Sequence, residues 1–248
     1  DVYGPDLERA RSFRYEDAVH AAEPHPGGGV AFASRAGEGS ERLLRLEWAR
    51  GDRVELLFAD EATRGRDATS MVALDELRAT PAGDGMALAR SSRYGLHHVT
   101  ADGGVRGVPL AEPDWWPDSP PDPELAGWID ATPQVLSIGS AGSGEVWLQI
   151  AWTEPPPDGA AILDRMMSDP ELMADPQAGA DEMRRVVRGW MRNAIQRVDL
   201  ESGAVVEEIR HADEPILFLG GSFGYRWSPG GPDDLVDLRL EICRVRDR

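Results

Sequence analysis

IQRVDLESGAVVEEIRH (Ile195–His211) contains two segments of alternating polarity, Ile195–Leu200 and Val205–Ile209, on either side of a Ser202-Gly203 turn. Side chains two apart share a face of a strand, so each segment reads as a half-buried β-strand and the pair as a hairpin. The pattern continues to Val245: an apolar strand, PILFLGG, from Pro215, then FGYRW (Phe223–Trp227), a turn-forming SPGGPDD, and the alternating LVDLRLEICRV. Short strands with a turn every eight to twelve residues or so point to a repeated antiparallel sheet.

The same rhythm recurs upstream. AVHAAE from Ala18, the turn PHPGGG and VAFASR are followed by LLRLEW (Leu43–Trp48), an Arg50-Gly51-Asp52 turn and VELLFA. A second unit opens near Leu74 with DELRAT, PAGDG, MALARS, YGLHHV, the turn Ala101–Gly104 and VRGVPL; a third starts near Pro133 with QVLSIG and EVWLQIAW. In three units the second strand follows directly on a glycine, at Gly29, Gly85 and Gly144. A four-stranded antiparallel unit repeated radially is a propeller blade, and neighbouring blades must stack to cover each other's apolar faces. The expected fold is therefore an all-β propeller in one domain, 1–248, with blades near 18–59, 74–110, 133–211 and 215–246. The last blade is one strand short, a place that Ala10–Tyr15 could fill.

One segment breaks the rhythm. Glu154–Arg192 opens with three prolines and then turns helical, and Met183, Val186, Val187, Trp190 and Met191 fall on one helix face. Asp181 and Glu182 read as its first turn. This helical insert, 154–192, is expected between the second and third strands of the third blade.

The formal charge is −18 over 248 residues, which disfavours nucleic-acid backbones and anionic membranes as partners. No apolar run is long enough to span a bilayer, so no membrane insertion is expected. All 26 basic residues are arginine, which removes lysine nucleophiles and Schiff bases. Cys243 is the single cysteine; it alternates with Leu240, Ile242 and Val245 and reads as a buried, inert thiol. The start at Asp1, without a methionine or a signal-type apolar segment, reads as the end of a strand and a turn, so the chain is expected to be an N-terminally truncated fragment.

The second strands that follow glycine, the third strands ending VDLESG (198–203) and VTADGG (99–104), EPDWWPDSPP (112–121) and GSGEVWLQIAW (142–152) resemble the six-bladed β-propellers of bacteria, of NHL-like and TolB-like type. The resemblance covers nearly the whole chain apart from the insert. It implies about four blades of an incomplete six-bladed ring, with a small four-bladed ring as the competing view. It also implies a periplasmic or secreted protein.

Chemistry is sparse. His97 and His98 are adjacent on a strand and point to opposite faces, so they cannot share a metal; His20 and His25 flank a turn, where solvent exposure is expected. There is no serine elbow, and the glycine-rich tracts open strands rather than phosphate-binding helices. Propeller hydrolases that resemble this fold hold a divalent cation on the ring axis; Asp75, Glu76, Asp130, Glu145 and Glu214 lie near the starts of inner strands and would be the ligands. The loop Asp114-Trp115-Trp116-Pro117, with Trp128 beyond it and Trp190 on the insert, is the best binding candidate. The alternative for that loop is a crossover pinned to a neighbouring blade by one buried indole. The leading expectation is a non-catalytic extracytoplasmic binding or scaffold protein without a cofactor, taking a small molecule, carbohydrate or peptide. The rival is a metal-dependent propeller hydrolase, lactonase or lyase.

Overall fold

The computed structural model describes residues 2–3, 9–11, 18–36, 43–50, 53–61, 76–116, 133–142, 144–211, 215–220, 223–229 and 238–244. They form four antiparallel sheets arranged in a ring like a four-bladed propeller. A short hairpin, β1 (Val2–Tyr3) with β2 (Arg9–Arg11), precedes them. The first sheet runs β3 (Ala18–Pro24), β4 (Val30–Ala36), β5 (Leu43–Arg50) and β6 (Arg53–Glu61); the second runs β7 (Leu77–Ala82), β8 (Gly85–Arg90), β9 (Leu96–Val99) and β10 (Val105–Val108). The third comprises β11 (Gln134–Gly142), β12 (Glu145–Thr153), β13 (Met191–Asp199) and β14 (Val205–His211). The fourth comprises β15 (Leu217–Gly220), β16 (Phe223–Pro229) and β17 (Leu238–Arg244). Within each sheet the strands pair in chain order, and the first strands touch in succession, β3 to β7 to β11 to β15. Ala10 and Arg11, expected to open a strand completing the last blade, lie instead in β2, which pairs with Val2–Tyr3; residues 12–15 of that expected strand lie outside the described residues.

Each seam between sheets is filled by side chains that alternation dictates. Leu46 and Trp48 of the first sheet meet Leu77, Met86 and Leu88 of the second. The opposite face of the second sheet turns Ala82, Ala87 and Ala89 toward Val135, Ile138, Val146, Leu148 and Ile150 of the third. Trp147 and Ile195 on the far side of the third sheet meet Ile216 and Phe218. Each fully buried large apolar side chain contributes roughly 1.5–3 kcal/mol.

Polar groups tie the same seams. Gln149, fully buried, accepts the Ile216 N–H through Oε1 at 3.1 Å and donates through Nε2 to Asn193 Oδ1. Ser137 Oγ donates to the Ile216 carbonyl and accepts from the Phe218 N–H. The backbone of the fourth sheet's first strand is thus held by side chains of the third. At the first seam, Arg90, only 4 % exposed, binds Asp60.

The helical insert sits where the pattern placed it, between β12 and β13, but its register differs. It comprises α1 (Gly159–Met167), α2 (Pro170–Ala174) and α3 (Pro176–Trp190), which pack on one another. Asp181 and Glu182 lie mid-helix, because Asp175-Pro176 starts α3 earlier. The Asp175 carboxylate accepts from the N–H groups of Gln177 and Ala178, and proline occupies the first helical position. Asp169-Pro170 starts α2 the same way. Met191, expected on the helix, is extended and opens β13.

His25 departs from its expected exposure. In the turn between β3 and β4 it is 4 % exposed and stacked on Trp48 at 4.1 Å. Its Nδ1 accepts the Gly27 N–H, and the Trp48 indole donates to the Gly28 carbonyl. Gly29 is required there: φ is +84°, and a Cβ would lie 2.2 Å from the Ala49 carbonyl oxygen. Cys243, expected buried, is half-buried on β17.

Two outcomes test these ties. Gln149→Met keeps the volume but strands the Ile216 N–H, and should lower the unfolding free energy by about 1–3 kcal/mol in denaturant titration. Burial lowers the His25 pKa. Its stabilisation is therefore complete above the ordinary imidazole value near ~6.5 and is lost as pH falls through the depressed folded value. The His25→Gln protein should show a shallower fall in melting temperature on acidification than the parent.

Candidate functional site

The strictly antiparallel order sorts the connections onto two ends of the ring. The hairpins β3–β4, β5–β6, β7–β8, β9–β10, β11–β12, β13–β14 and β15–β16 turn in no more than five residues, and all lie at one end. The opposite end carries the long connections: 62–76, 109–133 and the helical insert. The Ser91 carbonyl accepts the Val135 N–H and the Ser91 N–H donates to the Glu76 carbonyl, so the same ends of the second and third sheets are brought together.

Trp115 and Trp116 lie at the start of the connection 109–133 and are half-buried against the seam of the second and third sheets. Trp115 stacks on Trp152, with ring centroids 4.5 Å apart and planes 10° from parallel. The Arg210 guanidinium stands 5.9 Å from the Trp115 ring. Trp116 lies 6.2 Å from Trp115 and 5.3 Å from Tyr94, tilted to both. Sequence places Trp152 and Tyr94 far from the loop. Trp152 is legible only as the last residue of the alternation Val146, Leu148, Ile150, Trp152, which puts it on the face turned to the second sheet.

Beneath the indoles runs a chain of hydrogen bonds. The Tyr94 hydroxyl donates to Gln196 Oε1 at 2.8 Å, Gln196 Nε2 donates to Glu208 Oε2 at 2.6 Å, and Arg210 Nε donates to Glu208 Oε1 at 2.7 Å. Burial pushes the Glu208 carboxyl up, but the bonds from Gln196 and Arg210 outweigh it and leave the group below its ordinary value, ionised. The Trp115 indole N–H is turned toward this carboxylate without completing a hydrogen bond. Burial, reinforced by the Glu208 charge and opposed by the Gln196 bond, raises Tyr94 to about 12. The phenol is a neutral donor locked to one acceptor. On the outer strand an open depression of about 480 Å³ is lined by Arg197, Val206, Glu207, Glu208, Ile209 and Arg210.

The expected binding residues therefore divide. Trp115 and Trp116 come together. Trp190 is elsewhere, at the base of the insert, where its carbonyl accepts the Glu154 N–H and Arg192 binds Glu154 at 3.0 Å. Trp128 lies outside the described residues, as do Asp75, Asp130 and Glu214 of the expected cation ligands. Glu145 heads β12, the second strand of its sheet rather than an inner one, and faces Arg197 at 3.4 Å. Glu76 precedes the inner strand β7 at the opposite end of the ring and binds Arg78 at 2.6 Å. Among the described residues no three His, Cys, Asp or Glu side chains gather as a metal site. His97 and His98 do face opposite ways: His97 lies 5.2 Å from Phe58 of the first sheet, and His98 Nε2 lies 3.1 Å from the Ala82 carbonyl. Among the described residues no helix is long and apolar enough to cross a membrane.

No family model, no curated protein and no solved structure matches this chain.

The Tyr94 arrangement has a titration signature. Its folded pKa is above the unfolded value near ~10, so the stabilisation is complete below that pH and is lost as pH rises toward about 12. Of the four tyrosines, one should form phenolate last in an absorbance titration of the native protein, and Tyr94→Phe should delete that late step.

Proposed function

We propose that this chain is a non-catalytic binding or scaffold protein whose ligand, a carbohydrate or peptide, is taken at the aromatic seam of the second and third sheets. One observation carries the reading. Trp115 has Trp152 on one side and Arg210 close by, so it anchors the loop, whereas Trp116 is held beside it, tilted to Trp115 and Tyr94 and only partly buried. A rigid indole flanked by preorganised polar groups is the chemistry that grips a sugar face or a peptide side chain at low entropic cost. The Glu208 carboxylate and the Arg210 guanidinium offer an acceptor and a donor, already oriented by each other and by Gln196. The site lies at the ring end that carries the long connections, where binding residues are disproportionately found. An extracytoplasmic setting and kinship with NHL-like propellers are supported by the sequence motifs at 99–104, 112–121, 142–152 and 198–203.

The two indoles give separable outcomes. Trp115→Ala removes the stack and should lower the melting temperature, with a loss of about 2–4 kcal/mol. Trp116→Ala should change stability by about 1 kcal/mol or less. In a fluorescence screen of oligosaccharides and extended peptides, any ligand that quenches the parent should lose tenfold or more in affinity for Trp116→Ala. Unchanged affinity in that variant overturns the assignment.

A further inference from the structure

The third sheet ends in an open edge. β14 is its outermost strand and pairs with β13 alone. Two turn bonds fix the direction of its backbone groups: the Leu200 N–H donates to the Gly144 carbonyl, and the Asp199 N–H to the Ala204 carbonyl. Backbone polar groups alternate in direction along a strand. In β13, Gln196 and Ala194 therefore bond toward β12, while Arg197, Ile195 and Asn193 bond toward β14. Glu207, Ile209 and His211 return those bonds, so the N–H and C=O of Glu208 and Arg210 point away from the sheet. Among the described residues no backbone group bonds to them there.

The surface agrees. Glu208 is exposed as a residue although its side chain is only 26 % exposed; the difference is open backbone. The depression of about 480 Å³ is lined by every residue from Val206 to Arg210. Neighbours along a strand point to opposite faces, so a hollow lined by all of them follows the strand's edge and not one face. With a rise of roughly 3.3 Å, a strand spacing of about 4.8 Å and a layer thickness of about 10 Å, one added strand residue fills about 160 Å³. The hollow thus holds about three residues of extended chain. The side chains of Glu208 and Arg210 stand on the side that faces the second sheet, where Arg210 lies 5.9 Å from the Trp115 ring. The edge and the aromatic seam share these two residues.

We infer that the ligand of the aromatic seam is an extended basic peptide that pairs with the backbone of Glu208 and Arg210 as a fifth strand of the third sheet. This rests on the aromatic-seam reading above and narrows its ligand to one class. A peptide carries N–H and C=O groups at the strand repeat, which satisfy the outward groups of both residues; a carbohydrate has no such repeat. The two peptide residues paired with Glu208 and Arg210 present their side chains on the side of the sheet that carries Trp115. Charge selects the basic class. Glu208 is ionised, and its two oxygens, which accept from Gln196 and Arg210, have lone pairs to spare. The charge of −18 on the whole chain draws cationic peptides and repels acidic ones.

The test is fluorescence anisotropy of a labelled heptapeptide, Thr-Arg-Thr-Leu-Thr-Arg-Thr, titrated with the full chain at low salt. Its threonines favour a strand, and its arginines and leucine supply the pairing residues. Saturable binding is expected. N-methylation of the arginines and leucine removes the N–H groups that face β14 and should weaken binding about tenfold or more. N-methylation of the inner threonines, whose N–H groups face solvent, should weaken it about threefold or less. Glutamate in place of both arginines should also cost about tenfold. Equal losses from the two methylation patterns, or no saturation by the parent peptide, overturn the inference. An oligosaccharide that binds through Trp116 while the peptide does not overturns the added strand and leaves the aromatic seat standing. Peptide binding with the expected methylation pattern but the same affinity in Trp116→Ala overturns the aromatic seat, and this inference with it.

Discussion

A four-stranded sheet has two faces and no means of covering either by itself. Everything in this molecule follows from how each face finds a neighbour. The second sheet is the clearest case, with large side chains on one side and alanines on the other. Leu77, Met86 and Leu88 enter the space left by Ala31 and Ala33 of the first sheet, while Ala82, Ala87 and Ala89 make room for Val135, Ile138 and Leu148 of the third. Large against small lets successive sheets approach closely and fill the seam at interior density. Glycine serves the same end at Gly139, where a Cβ would sit 2.7 Å from the Phe218 ring of the next sheet.

Apolar packing alone does not fix how one sheet slides on the next; the buried polar ties do. Gln149 and Ser137 engage the backbone of residues 216–218, Arg90 reaches Asp60, and Arg106 donates to the Leu200 carbonyl across the second and third sheets. Each tie leaves a stranded donor or acceptor if the seam shifts by one residue, a penalty of about 1–3 kcal/mol per group. The Tyr94–Gln196–Glu208 chain belongs to this set. The candidate binding site is therefore built on a structural seam, and its geometry is inherited from the packing of two sheets.

What the sequence disclosed was whatever is local and periodic. Alternation located all the strands of the four sheets, and the glycines at 29, 85 and 144 marked where second strands begin. The insert was legible from its 3.6-residue stripe, but its start was not, because the Asp175-Pro176 cap outweighed the acidic pair at 181–182 that looked like a first turn. Non-local facts were out of reach. Nothing near Trp115 announces Trp152, and a histidine beside Pro26 and three glycines reads as exposed until Trp48, more than twenty residues on, is seen to cover it. The tryptophan loop was visible as an aromatic cluster, whereas the division of labour between its two indoles depends on which ring faces are already occupied.

That division has a thermodynamic consequence. Trp116 sits on a segment pinned by Trp115 to the third sheet and by Tyr94 to the second, so a ligand gripping Trp116 binds the assembled seam and has no comparable partner in the separated sheets. Such a ligand stabilises the native state by RT ln(1 + [L]/Kd), and the gain falls on the seam it bridges. The helical insert is coupled differently. It is held at its base by the Thr153–Met191 pairing, the Glu154–Trp190 backbone bond and the Glu154–Arg192 ion pair, while its helices pack mainly on one another. The aromatic seam is thus built on the core, and the insert joins it where alternation stops at Thr153 and resumes at Met191.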